Sequence, residues 1–191
     1  MTPPWPLPHR TDLRDRLLAA YADGRGYHDV RHLTEVLDRL AELGWAEDLE
    51  VVLAAWFHDA VYDGLPGAED RSAALAEREL VGEDVDHREV ARLVRVTADH
   101  SPAPQDARGA ALCDADLAIL AAPAERYADY VVGVRREYAA VPDDAFRRGR
   151  LAVLEDLAGR THLFRTSYAR EHWGAPARRN LAAEIATLRA G

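Results

Sequence analysis

The chain has 191 residues, of which 48% are hydrophobic, enough for one sizeable core and too few for a second full domain. Its formal net charge is −9, all 24 basic residues are arginine, and acidic residues interleave with most of them; this argues against a phosphate-tracking surface and against a nucleic acid polymer as partner. A single cysteine, Cys113, excludes an intramolecular disulfide framework and suits a reducing cytoplasm, with a core-filling role among alanines and leucines.

Residues 1–11 carry Pro3, Pro4, Pro6 and Pro8 and no continuous apolar stretch. They read as an irregular arm anchored by Trp5, and neither as a signal peptide nor as a membrane anchor. Over residues 12–191 apolar positions recur every three or four residues and no segment alternates for long. The expected fold class is therefore all-α, a single-domain helical bundle.

The spacing predicts a helix from Asp12 to Ala22, ended by Gly24 and Gly26. Asp29 can cap the next helix, whose stripe Val30, Leu33, Val36, Leu37, Leu40 and Leu43 stops at Gly44. A third, from Glu47 to Val61, is apolar on nearly every side and should be the central buried helix. Further helices are predicted over Ala68 to Leu80, Asp86 to Asp99, Gly109 to Leu120, Pro123 to Tyr138, Pro142 to Arg160, Thr166 to Trp173 and Pro176 to Arg189.

The chemistry gathers at His58-Asp59, at the end of the apolar run Leu49 to Phe57. A buried imidazole beside a buried carboxylate is costly unless something compensates it, and a divalent cation is the obvious candidate. Neighbouring helical residues diverge by about 100°, so the two can share an ion only where a helix terminates. Antiparallel packing of the preceding helix could bring His32 level with His58. The competing reading of the bare dipeptide is a helix-end histidine with an exposed aspartate.

Asp114 and Asp116 stand about 200° apart on one helix, so only one of them can face such an ion. Asp116 shares its face with Leu112, Cys113, Ile119 and Leu120, the bulkier apolar stripe, and is the expected ligand. Asp114 is left as a supporting acceptor or a surface charge.

The strings Tyr27-His28-Asp29-Val30-Arg31-His32, Trp56-Phe57-His58-Asp59-Ala60-Val61-Tyr62-Asp63, Thr97 to His100, and Asp114-Ala115-Asp116-Leu117 resemble a branch of HD-domain metal-dependent phosphohydrolases. Arg135 to Tyr138 and Arg179-Asn180-Leu181 extend the likeness to most of the chain from Gly24 onward. The resemblance implies an HD-type helical bundle with His32, His58, Asp59 and Asp116 as metal ligands. One departure is Ala68 before Glu69, where an Asn would be expected.

The implied activity is hydrolysis of a phosphate monoester or nucleotide-like metabolite by a metal-activated water, with Mn, Fe, Co, Ni, Zn or Mg as the divalent ion. Asp63 and Glu69 are the candidate acids for the leaving group; a solvated loop or a helix-start charge is the alternative for each. His28, His100 and Arg135 are candidate substrate contacts, and Arg135 could equally form a helix-surface ion pair. The expected partner is a small phosphorylated substrate in the cytoplasm, with no membrane. Two other functions fit the same scaffold: a di-iron oxygenase recruiting His87 and His100, and a non-catalytic metal-containing binding module.

Overall fold

The computed structural model describes residues 3–22 and 24–190, and among them the chain is helical with no strand, as the periodicity predicts. It divides into two compact units, Met1–Asp116 and Leu117–Gly191. No helix among the described residues is long and apolar enough to cross a membrane.

The first unit contains α1 (Thr11–Ala22), α2 (Val30–Glu42), α3 (Leu49–Phe57), α4 (Ala68–Glu79), α5 (His87–Val96) and most of α6 (Ala107–Leu117). Asp29 caps α2 by accepting from the backbone N–H groups of Arg31 and His32, which satisfies two of the four orphan donors of a helix start. Leu33, Val36, Leu37 and Leu40 then bury one face, and the chain leaves through Gly44 at φ +82, a left-handed position that a glycine adopts freely. Asp48 caps α3 through Val51 N, and every residue from Val51 to Phe57 is buried. This helix is the centre of the unit, packed by α2, α4 and α5. Each buried leucine, valine or phenylalanine there contributes about 1.5–3 kcal/mol of transfer free energy.

The arm ahead of α1 is pinned as its tryptophan suggests. Trp5 meets Trp56 edge to face at 4.8 Å, Trp56 Nε1 donates to Pro4 O at 3.0 Å, and Leu7 is buried.

Three helix ends differ from the periodicity. α3 stops at Phe57 instead of Val61, because Ser72 on α4 takes both backbone groups of Val61: its Oγ accepts from Val61 N at 3.0 Å and donates to Val61 O at 3.4 Å. α5 stops at Val96, short of Asp99, and His100 beyond it adopts φ +52. α6 runs only to Leu117 and passes into a 3₁₀ turn over Ala118–Ala121.

The second unit contains that turn, α7 (Ala124–Glu137), α8 (Asp143–Gly159), α9 (Ser167–His172) and α10 (Gly174–Ala190). α10 packs on the turn, α8 and α9. Asn180 on α10 donates to Leu120 O at 2.8 Å and Ala122 O at 2.9 Å, which ties down the carbonyls the 3₁₀ turn leaves over. Buried Glu184 is satisfied by Arg150 Nε at 2.8 Å and by the Tyr127 hydroxyl at 2.6 Å, so this internal charge is paired and hydrogen-bonded.

Candidate metal centre

His32 lies in the first turn of α2 and His58 caps the C-terminus of α3, with Asp59 in the turn that follows. His58 Nδ1 sits 2.7 Å from Ala55 O. A carbonyl only accepts, so Nδ1 carries a proton and neutral His58 presents a lone pair at Nε2. The end of α3 frees Asp59 from helical divergence, and its carboxylate turns back over the same point. Asp116 arrives from the last turn of α6.

Four atoms converge. His32 Nε2 is 3.2 Å from His58 Nε2, 3.4 Å from Asp59 Oδ2 and 3.2 Å from Asp116 Oδ1. His58 Nε2 is 3.1 Å from Asp59 Oδ2 and 3.7 Å from Asp116 Oδ1. Ligands bound at about 2.1 Å stand about 3.0 Å apart on an octahedral edge and about 3.4 Å apart on a tetrahedral one. The separations, 3.1–3.7 Å, bracket the tetrahedral edge and begin just above the octahedral one. Both histidine side chains are at most 2% exposed, and Asp59 Oδ2 is buried with no hydrogen-bond partner among the described residues. Such an oxygen carries a desolvation cost that a cation at the convergence point would remove. The buried group His32, His58 and Asp59 can therefore hold a metal ion, and Asp116 stands beside it.

The electrostatics agree with four groups facing one point. Burial opposes charging of His32, but the carboxylates of Asp116 and Asp59, 3.2 and 3.4 Å from its Nε2, outweigh it and push its pKa up to about 10. Burial likewise opposes charging of His58, and the charges of Asp59 and Asp116 still raise it. Burial acts against ionisation of Asp59, yet nearby His58 and His28 hold its carboxyl well below the usual range. Asp116 is lowered as well, against its burial, by the charge of His58 and by hydrogen bonds from His100 and His32.

A metal ion needs neutral imidazoles, so binding below about pH 10 displaces the His32 proton, and affinity is expected to rise with pH. For one displaced proton the slope approaches about one log unit of affinity per pH unit and flattens above that value. Titration against an indicator chelator at several pH values measures it; pH-independent affinity would contradict the assignment.

The remaining sequence candidates fall in different places. His100 donates from Nε2 to Asp116 Oδ2 at 2.9 Å, so it orients a carboxylate of the cluster. His28 precedes the cap of α2, stacks on Tyr62 at 4.1 Å and lies 5.5 Å, ring to ring, from His32. Asp63 lies in an exposed loop, where its Oδ1 accepts from Arg71 Nη2 at 2.5 Å and from Leu65 N at 3.0 Å, the solvated-loop alternative. Glu69 is half-buried in the first turn of α4, one turn before Ser72 on the same face, and has no hydrogen-bond or ion-pair partner among the described residues. Arg135 takes the ion-pair alternative. Its guanidinium closes the connection between α7 and α8 by donating to Tyr138 O, Val141 O and Asp143. His87 opens α5 while His100 lies beyond its end, about 14 Å of helical rise apart, so the pair does not meet.

Asp114 is wholly buried, which overturns the surface-charge alternative. Asp116→Asn is expected to purify with little metal and Asp114→Asn to retain most of it, as read by elemental analysis of both variants. The reverse pattern would exchange their roles.

Sequence reading passes over Ser72, which bonds the loop after Asp59, and Arg25, which lies between two glycines with no periodic partner to mark it. Comparison of the chain with protein-family models, curated proteins and solved structures finds no match to any of the three.

Proposed function

We propose that this chain is a metal-dependent phosphohydrolase of the HD type, cleaving a phosphate monoester or nucleotide-like metabolite with water as the nucleophile. The observation that carries the reading is the convergence of two imidazole nitrogens and two carboxylate oxygens, one of them the orphaned Asp59 Oδ2. Mixed nitrogen and oxygen donors suit Mn, Fe, Co, Ni or Zn better than Mg, which prefers oxygen. When bound, such an ion supplies an acidified water and a Lewis-acid contact to a phosphoryl oxygen.

The chain's own residues then have distinct tasks. His32, His58, Asp59 and Asp116 hold the ion; the Ala55 carbonyl keeps the His58 proton on Nδ1 and so keeps its Nε2 lone pair inward. His100 keeps Asp116 turned by its bond to Oδ2. Half-buried His28, braced by Tyr62, flanks the cluster where a substrate oxygen can take a hydrogen bond. Glu69, with its carboxylate unengaged, is the better of the two candidate acids for the leaving group, since Asp63 is spent on Arg71.

Metal-stripped protein reloaded with Mn²⁺, Mg²⁺, Co²⁺ or Ni²⁺ and assayed on a panel of phosphate monoesters and nucleotides tests the reading. Turnover only after loading is expected. Protein with verified metal content that turns over none of the panel would sink the hydrolase reading and leave a metal-holding binding module.

A further inference from the structure

The two histidines come from different helices, one at the start of α2 and one at the end of α3, yet their Nε2 atoms stand 3.2 Å apart. The apolar burial between the two helices is non-directional and does not by itself fix that distance. Something directional must therefore tie the segment entering α2 to the turn leaving α3.

Arg25 makes that tie. Its Nη1 donates one proton to His28 O at 2.8 Å and the other to Asp59 O at 2.7 Å, and its Nη2 donates to Ala60 O at 3.2 Å. His28 directly precedes Asp29, the cap of α2, so its carbonyl marks where the His32 helix begins. Asp59 and Ala60 follow the cap of α3, where backbone carbonyls have no intrahelical partner and the negative end of the helix dipole favours a cation. One guanidinium nitrogen thus bridges the two ligand-bearing segments directly.

The fork is itself held from two sides. Its carbon lies 4.8 Å from the centre of the Tyr21 ring and 5.7 Å from that of Tyr62. The Tyr21 hydroxyl donates to Trp56 O and accepts from Asp59 N, both at 3.3 Å, so the platform under the arginine is fastened to the same turn. Tyr62 on the other side stacks on His28.

We infer that Arg25 is a positioning residue for the metal centre: by tying the His28 carbonyl to those of Asp59 and Ala60, its planar fork sets the distance between His32 and His58. The inference rests on the metal reading of the cluster. A lysine keeps the charge but is a point donor without the planar spacing that spans both segments.

Co²⁺ titration of metal-stripped wild type, Arg25→Lys and Arg25→Gln tests it, with affinity from calorimetry and ligand geometry from the visible absorption bands of the bound ion. Both variants are expected to bind Co²⁺ about 10- to 100-fold more weakly, the range for loss of an outer supporting group, with altered absorption bands. Helical circular dichroism should match wild type in Arg25→Lys, which decides the matter should Arg25→Gln fail to fold. Wild-type affinity and unchanged bands in Arg25→Lys, even with a lower melting temperature, would reduce Arg25 to a helix-end cap and overturn the inference. Failure of the wild type itself to bind Co²⁺ would instead remove the metal reading on which it stands.

Discussion

Asp59→Asn is expected to abolish the proposed metal-dependent hydrolysis while keeping the helical content of the wild type. The amide removes the negative charge from Asp59, whose buried Oδ2 has no hydrogen-bond partner among the described residues, and turns a cation ligand into a weaker neutral donor. His58→Ala should do the same by deleting the Nε2 lone pair that the Ala55 carbonyl holds inward. The loss in either variant should exceed about 100-fold, because supporting groups outside the ligand shell already cost up to that much. The fold should survive, since α3 is built by the seven residues Val51 to Phe57, all of which stay buried. Steady-state assay beside far-ultraviolet circular dichroism reads both quantities, and wild-type turnover by either variant would place the centre elsewhere.

Removal of bound metal is expected to lower the melting temperature by roughly 10 °C. A ligand that binds only the native state, present at about a thousand times its dissociation constant, adds about 4 kcal/mol. For a chain of this size each kcal/mol moves the midpoint by about 2–4 °C. The loss is tempered by the groups themselves: without the ion, protonated His32 and His58 take over part of the neutralisation of Asp59 and Asp116. That substitution fails in opposite directions with pH. The histidine contribution is complete below the ordinary imidazole range and is lost as pH rises through about 10, whereas the carboxylate contribution is present above the ordinary carboxylate range and is lost in acid. Chelated protein should therefore be least handicapped between those limits. Calorimetric scans with and without chelator measure the gap, and equal midpoints after verified metal loss would count heavily against the site.

Much of this architecture is legible from residue patterns, and the parts that are not have identifiable causes. The stripe of α2 and its cap at Asp29 are local features, decided within a few residues, and they hold. The length of α3 is not local: Ser72, eleven positions beyond Val61, takes the backbone groups that would have continued the helix. Asp63 looked equivalent to Glu69 for the same kind of reason, since nothing near it announces that Arg71 occupies it. The choice of Asp116 over Asp114 is a more instructive case. The face argument selects the carboxylate now beside the histidines, yet Asp114 is the more deeply buried of the two, so burial alone would have selected the other. Asp116 reaches the cluster from the last turn of α6, and helix ends are where periodicity says least.

The left-handed backbone of His100 has a consequence for how this protein could change over time. A histidine at φ +52 costs the chain about 1–2 kcal/mol that glycine would not. Its ring, through Asp116, repays part of that strain. Heat resistance and site integrity therefore pull residue 100 toward different amino acids. A lineage selected for thermal endurance alone would drift to glycine there and lose the clamp on Asp116 without any sign of damage to its fold.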